Sequence, residues 1–121
     1  MERDQVAAWI DRYERAWRSP GTAALAELFT EDASYSQGPY REPVQGLPAI
    51  AAMWEAERDG SDEAFTMQSE VVAADGATGV VRVEVRYGQP VREYRDLWIM
   101  WFADDGRCRQ FEEWPYAPDA G

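Results

Sequence analysis

Residues 94–116 read YRDLWIMWFADDGRCRQFEEWPY and contain three of the six tryptophans of the chain. Apolar and aromatic side chains flank an Asp-Asp-Gly sequence, which is typical of a tight turn between two antiparallel strands. Three carboxylates, Asp96, Glu112 and Glu113, interrupt this aromatic segment. The segment is therefore either a thick core with one wet face or the wall of a pocket that carries polar groups.

Alternation of apolar and polar side chains with a period of two residues, typical of strands, continues on the N-terminal side of this segment. Residues 64–74 and 78–87 are predicted to form two further strands, followed by strands at 92–103 and 108–116. Short connections rich in Asp, Gly and Pro separate them, as antiparallel hairpins require. The C-terminal half is therefore predicted to be a meander of four antiparallel strands.

The N-terminal half has helical periodicity instead. Residues 4–18 combine an apolar stripe with a charged opposite face, which indicates an amphipathic helix. Shorter stripes predict helices at 23–29 and 47–58. Between them we expect a short strand at 33–36 and a loop at 37–46 with at most a brief strand at 40–42. Helices followed by a run of strands define the α+β class, with three N-terminal helices packed on one face of a curved, mostly antiparallel sheet.

Composition limits the possible partners. The chain has 121 residues, 45% of them hydrophobic, and a net charge of −11. This length suits one domain that buries a core without disulfides, while the negative charge makes nucleic acid and anionic membranes poor partners. The single cysteine, Cys108, fits a reducing compartment, and the sequence shows no signal-peptide pattern and no apolar run of membrane length. We expect a cytoplasmic protein with no membrane or nucleic-acid partner.

The absence of histidine limits the chemistry. Ser-His and Cys-His nucleophiles are excluded, and so are zinc and iron sites that contain histidine. The sequence has neither the spacing of a calcium loop nor a glycine-rich phosphate loop. We therefore expect no metal and no cofactor, and carboxylates and tyrosines remain as acid–base groups.

The strand predicted at 92–103 is apolar on both faces. The face expected to point toward a cavity carries Tyr94, Asp96, Trp98, Met100 and Phe102. The opposite face carries Arg95, Leu97, Ile99 and Trp101. Because an exposed row of Leu, Ile and Trp is too apolar for the surface of a monomer, the opposite face predicts a homodimer.

Four local sequences resemble the nuclear-transport-factor-2-like superfamily, and within it the SnoaL-like and ketosteroid isomerase group. They are LAELFTEDASY at 25–35, PVQGLPAIAAMW at 43–54, VRVEVRYGQPVREYRDLWIMWFADDGR at 81–107 and FADDGRCRQFEEW at 102–114. The order of predicted elements matches over almost the whole length. The resemblance implies a single SnoaL-like domain over residues 1–121, folded as a cone-shaped barrel whose bent sheet surrounds the first helix and a small-molecule cavity.

The resemblance also maps three positions onto the isomerase site. Tyr13 falls where the isomerases place the tyrosine that hydrogen-bonds their dienolate oxygen. Gln37 falls where they place the aspartate that moves the proton, and Trp98 falls where they place a protonated aspartic acid. Because glutamine cannot accept a proton at neutral pH, steroid isomerisation by the family mechanism is not predicted.

The other carboxylates offer an alternative acid–base pair. Asp96 shares its predicted face with apolar side chains, and desolvation there would raise its pKa and suit it to general acid or base catalysis. An ion pair with Arg92 or Arg95 is the structural alternative for this carboxylate. Glu113 is the second candidate, although its neighbour Glu112 points to the opposite face and the sequence leaves open which of them is inward.

Aromatic side chains complete the predicted site. Tyr13 is assigned with Asp96 and Glu113 to catalysis, since its hydroxyl can donate a hydrogen bond to a carbonyl or enolate oxygen. The predicted ligand-binding residues, which equally fit a plain core, are Trp17, Tyr35, Gln37, Tyr40, Trp54, Phe65, Trp98, Met100 and Phe111.

Two functions remain open from the sequence. The first is a cofactor-independent isomerase, cyclase or dehydratase that acts on a small hydrophobic carbonyl compound with a carboxylate and a tyrosine. The alternative is a non-catalytic module that binds a small ligand or serves for dimerisation. One fold supports many chemistries, so the resemblance does not decide between them.

Overall fold

The computed structural model describes residues 1–57, 65–88 and 91–118. The helices in these ranges are α1 (Arg3–Arg18), α2 (Leu25–Leu28) and α3 (Leu47–Glu57). The strands are β1 (Phe29–Ser36), β2 (Val44–Gln45), β3 (Phe65–Asp75), β4 (Thr78–Gly88), β5 (Val91–Phe102) and β6 (Cys108–Tyr116). The α+β class and the order of helices before the strand meander are as predicted.

Three short elements of the N-terminal half differ from the prediction. The strand expected at 40–42 is wrong, because the N–H of Arg41 closes a turn onto the carbonyl of Gly38, and the short strand begins at Val44 instead. The helix expected at 23–29 covers only Leu25–Leu28, and the strand expected at 33–36 begins earlier, at Phe29, whose backbone is extended (φ −123°, ψ 147°). The predicted ends at residues 58 and 64 lie outside the described residues.

The six strands form one mixed sheet in the order β2-β1-β6-β5-β4-β3. β1 and β6 run parallel, and the other neighbouring pairs are antiparallel. β2 and β3 are edges, so the sheet is open rather than a closed barrel. The pairings β3–β4 and β5–β6 shift register at Val71/Ala73 and Trp101/Phe102, and such bulges bend and twist a sheet.

Helix α1 packs its apolar stripe against this sheet. The helix begins with a capping box, in which the backbone N–H of Glu2 donates to Gln5 Oε1 at 2.7 Å. Trp9 is fully buried, and its indole N–H donates to the carbonyl of Leu28 at 3.0 Å. Its ring contacts Phe29 and other aromatic residues of the sheet at 5.6–6.1 Å between centroids. The core therefore lies between α1 and the inward face of the sheet.

Strand β5 alternates as its sequence predicts. Asp96, Trp98 and Met100 are buried on the inward face, whereas Leu97 on the opposite face is 40% exposed. The register sets Trp98 opposite Glu113 of β6. The carboxylates noted in the aromatic segment therefore reach the interior through the alternation of two adjacent strands. In the described part of the chain, no helix has the length and apolar character needed to cross a membrane.

Candidate functional site

A cavity of about 300 Å³ opens between α1, α3 and the inward face of the sheet. Tyr13, Tyr35, Asp96 and Trp98 form its buried end, each between 3% and 6% exposed. This volume lies at the lower limit of ordinary ligand pockets, which run from about 300 to 1,000 Å³. The cavity therefore suits a small molecule with one or two rings better than a polycyclic one.

Two tyrosine hydroxyls meet at the buried end. Tyr13 Oη and Tyr35 Oη are 2.8 Å apart and share one hydrogen bond. Phe111 holds both rings, since it stacks on Tyr13 at 5.8 Å and on Tyr35 at 4.5 Å between centroids. Burial raises the pKa of each tyrosine well above its usual value, so both are neutral at pH 7. One hydroxyl donates to the other, and the second proton is left for a ligand oxygen.

Two carboxyl groups lie beside this tyrosine pair. Asp96 is opposite Pro115 and Trp98 is opposite Glu113 in the β5–β6 ladder. Asp96 and Glu113 are thus diagonal neighbours on the same face, a separation that long side chains can bridge. Both side chains line the cavity, and the charge of Asp96 raises the pKa of Glu113. Two carboxyl groups placed in this way can form a hydrogen bond with each other only if they share a proton.

The surroundings of Asp96 favour the shared proton. Its Oδ2 accepts a hydrogen bond from the indole N–H of Trp98 at 3.3 Å. Its buried Oδ1 has no hydrogen-bond partner among the described residues. The neighbouring Glu113 can supply a donor when it is protonated. The carboxyl pair is therefore satisfied with one proton between its two members.

Burial is also the main reason why the pKa values of Asp96 and Glu113 are raised. Desolvation raises the pKa of Asp96 to about 6, against its hydrogen bonds, which lower it. Desolvation and then the charge of Asp96 raise the pKa of Glu113 to about 8. Two negative charges in one buried site repel each other, so the second proton of the pair is lost at a higher pH than the first. At neutral pH the pair holds one acid and one base.

Charged side chains surround the outer part of the cavity. Arg41 and Glu57 are exposed residues that line it, and Arg92 lies with its guanidinium carbon 4.5 Å from the ring centre of Tyr87. The charge of Glu57 raises the pKa of Glu113, and that of Arg41 lowers it. The cavity lining is therefore mixed in polarity, a correction to the hydrophobic pocket expected from the sequence.

The structure brings most of the predicted site residues together. Those that line the cavity are Tyr13, Trp17, Tyr35, Gln37, Phe65, Asp96, Trp98 and Glu113. Trp54, Met100 and Phe111 are fully buried and are not among the residues that line it. Tyr40 lies elsewhere, because the turn before β2 leaves its side chain fully exposed, at 101%.

Two questions that the sequence left open have structural answers. Glu113 faces the cavity, whereas Glu112 accepts a hydrogen bond from the indole N–H of Trp114 at 3.0 Å. Arg95 does not pair with Asp96, since it lies on the other face of β5 and meets Glu84 at 3.5 Å. The alternative in which Arg95 neutralises Asp96 is therefore wrong.

Sequence reasoning missed several residues of the cavity. Val85 and Tyr87 share the inward face of β4, so strand alternation could have identified them. Arg41 lies in a turn and Glu57 at the end of α3, and no periodicity marks either of them. Among the described residues, no group of three or more Asp, Glu and Cys side chains could hold a metal ion.

Three helices on an open six-stranded sheet of this order, with a cavity between them, define the nuclear-transport-factor-2-like cone fold. The family model of the SnoaL-like domain matches residues 10–111. The chain therefore belongs to the SnoaL-like family, as the local sequences predicted. No curated protein matches the sequence significantly.

Solved structures share this fold at low sequence identity. SalBIII, an epoxide hydrolase/cyclase-like enzyme with a role in pyran ring formation in polyether salinomycin, is 14% identical with a TM-score of 0.76 over 91% of this chain and 89% of that chain. A steroid delta-isomerase from Pseudomonas aeruginosa is 22% identical with a TM-score of 0.66 over 95% and 82%. An NTF-2 like protein of unknown function from Burkholderia xenovorans LB400 is 15% identical with a TM-score of 0.72 over 95% and 85%. These likenesses concern the fold alone.

Proposed function

We propose that this protein is a cofactor-independent acid–base enzyme that isomerises, cyclises or dehydrates a small carbonyl compound. The carboxyl pair of Asp96 and Glu113, diagonal neighbours on the same strand face, lies beside the hydroxyl pair of Tyr13 and Tyr35 in one cavity and carries the proposal. A carboxylate and a carboxylic acid in one site supply both a general base and a general acid at neutral pH. Similar folds in a steroid delta-isomerase and a cyclase-like enzyme are consistent with such chemistry.

The proposed reaction begins with removal of a proton from the carbon next to the carbonyl. The C–H electron pair forms the new C=C bond of an enolate, and the carbonyl π electrons move to its oxygen. The proton goes to the carboxylate of the Asp96/Glu113 pair. A hydroxyl of the Tyr13/Tyr35 pair donates a hydrogen bond to the developing oxyanion and stabilises it. The neutral carboxyl returns a proton to carbon or to a leaving hydroxyl, which completes the cycle.

A non-catalytic binding module is the second candidate, and one observation favours it. Gln37 and Trp98, which fall at the two carboxyl positions of the isomerases, both line the cavity. Neither the amide of Gln37 nor the indole of Trp98 can act as a general acid or base at neutral pH. A module of this kind would bind the same small molecules without turnover, with Asp96 and Glu113 only orienting a polar end.

Deuterium exchange separates the two candidates without knowledge of the natural substrate. Cyclic ketones and β-keto esters are incubated with the protein in D₂O, and NMR follows loss of the α-proton. We expect the wild type to catalyse exchange for at least one compound, and the double variant Asp96→Asn/Glu113→Gln to bind that compound without exchange. Glu112→Gln is the matched control, because it removes a neighbouring charge and keeps an acceptor for Trp114. Binding without exchange by the wild type would establish the binding module.

We also propose that the protein acts in the cytoplasm as a homodimer built on the outward face of the sheet. Leu97 is 40% exposed there, while Ile99, Trp101 and Trp114 are half-buried in the single chain. Such a face suits association with a second copy. Light scattering tests this: the wild type is expected at twice the monomer mass, and Leu97→Glu at the monomer mass. A monomeric wild type at micromolar concentration would refute the dimer. The buried free thiol of Cys108 is consistent with a reducing compartment.

A further inference from the structure

Arg41 lines the cavity although it lies in a turn. The carbonyl of Gly38 accepts a hydrogen bond from the backbone N–H of Arg41 at 3.2 Å and another from Ser36 Oγ at 3.0 Å. The side-chain methylenes of Arg41 lie 3.6 Å from the point where a Cβ on Gly38 would stand. The turn therefore sets the backbone position from which the exposed side chain of Arg41 reaches the cavity.

No carboxylate neutralises this guanidinium within residues 1–57, 65–88 and 91–118. Exposed arginines elsewhere, such as Arg82 and Arg86, form ion pairs with a glutamate at 3.1–3.2 Å. Arg41 has no such partner in the described chain, although Glu57 lines the same cavity. Its charge reaches the reacting groups, since it lowers the pKa of Glu113. The guanidinium is thus available to a ligand next to the carboxyl pair.

The charge of the cavity lining contrasts with that of the whole protein. Among the described residues that line the cavity, Arg41 and Arg92 are cations, and Glu57 and the Asp96/Glu113 pair are the anionic groups. With one proton on the carboxyl pair, these positive and negative charges balance, whereas the chain as a whole has a net charge of −11. The cavity therefore repels an anion less than the protein as a whole does, and an anionic group there meets the cation of Arg41 at short range.

We propose that Arg41 binds a carboxylate of the substrate, so that the substrate class is a small oxo acid whose carbonyl reaches the tyrosine pair. The planar guanidinium matches a carboxylate with two parallel hydrogen bonds. The cavity of about 300 Å³ has room for such a molecule, and Arg41 and the tyrosine pair both line it, so that the carboxylate would lie at Arg41 and the carbonyl at the tyrosine pair. This inference rests on the proposed acid–base function and adds the determinant of substrate specificity.

The test compares 4-oxocyclohexanecarboxylate with its methyl ester, which has the same ring and carbonyl but no charge. NMR titration measures the affinity of each, and α-proton exchange in D₂O measures turnover. We expect the acid to bind at least tenfold more tightly than the ester. Arg41→Gln is expected to abolish this difference by weakening the acid alone, and Arg41→Lys to retain part of it, since lysine keeps the charge and loses the bidentate geometry.

Arg109→Gln is the matched control, because this exposed arginine does not line the cavity and its loss changes the net charge equally. Equal affinity for acid and ester, binding of neither, or an acid preference that survives Arg41→Gln would overturn the carboxylate site. Exchange of the ester in that case would still support the acid–base function. An acid preference that depends on Arg41, with no exchange of either compound, would instead leave the carboxylate site standing and refute the enzyme.

Discussion

Strands β5 and β6 carry charged residues on both of their faces, and the two faces differ in how deeply these residues are buried and in whether they hold a proton. On the outward face, Arg95 meets Glu84 at 3.5 Å with side chains 69% and 46% exposed. On the inward face, Asp96 is 6% exposed and lines the same cavity as Glu113. Water screens the outward charges, whereas burial makes the inward carboxyls hold a proton. The position of a residue on the pleated strand, and not its type, therefore separates a surface charge from an acid–base group.

The largest expected effect is the loss of proton transfer when either inward carboxyl is replaced. Asp96→Asn and Glu113→Gln are each expected to lower the exchange rate by about 10²–10⁴-fold, since general acid–base groups contribute that much. Because the two carboxyls share one proton, each single variant should lose nearly as much as the double variant. Initial rates of deuterium incorporation measure this.

The outward face supplies the control for these variants. Glu84→Gln is expected to change the exchange rate less than twofold, because Glu84 points away from the cavity. Additive losses in the double variant would contradict a pair that acts as one unit, and would assign independent roles to the two carboxyls.

Replacement of a tyrosine in the hydroxyl pair is expected to have the next largest effect on the exchange rate. Tyr13→Phe and Tyr35→Phe each remove one of the two hydroxyls that lie 2.8 Å apart. Loss of the hydroxyl that donates to the substrate oxyanion should lower the rate by about 10²–10³-fold. Loss of the other hydroxyl should lower the rate less, because that hydroxyl only orients its partner. Tyr94→Phe is the control, since this tyrosine also lines the cavity but has no part in the hydroxyl pair. Equal and small losses for both variants would remove the tyrosines from the mechanism.

The contrast between the two faces also explains how much the sequence could predict. Alternation along β5 is a local property, so the inward direction of Asp96 followed from its neighbours Trp98 and Met100. The placement of Glu113 beside Asp96 depends on the register of β5 against β6, which sets Trp98 opposite Glu113. No feature of the sequence alone defines that register, and the choice between Glu112 and Glu113 therefore stayed open.

The turns were harder to predict than the strands for a related reason. Tyr40 and Arg41 are adjacent in the sequence, yet Tyr40 is fully exposed and Arg41 lines the cavity. Their directions follow from the turn that Gly38 closes with Ser36 and Arg41. Aromatic character suggested Tyr40 as a ligand contact, but turn geometry decides the direction of a side chain more strongly than its chemistry does.

The inward pair should also make stability depend on pH. Folding raises the pKa of Asp96 from 3.8 to about 6 and that of Glu113 from 4.5 to about 8. The folded state therefore binds more protons than the unfolded state in this range. Its stabilisation by the pair is complete below about pH 4, declines as the pH rises above that value, and is lost once the pH has passed about 6 and then about 8, the folded pKa values of Asp96 and Glu113. Urea unfolding at a series of pH values measures the effect.

Replacement of Glu113 tests the source of this dependence. Glu113→Gln removes the group with the higher pKa, so the decline of unfolding free energy between pH 6 and 8 should become shallower than in the wild type. Glu112→Gln should retain the wild-type slope. A slope that is the same in all three proteins would show that the inward carboxyls are as well solvated as the outward ones.

The smallest expected effect belongs to the outward pair. Replacement of Glu84 by Gln, or of Arg95 by Gln, should change the free energy of unfolding by only about 0.2–1 kcal/mol, because exposed ion pairs gain little in water. High salt should reduce even this difference, since it screens exposed charges. The effect of Glu113→Gln should instead persist in 1 M salt, because a buried pair is screened much less. A salt response of equal size on both faces would mean that burial does not separate the two sets of charges.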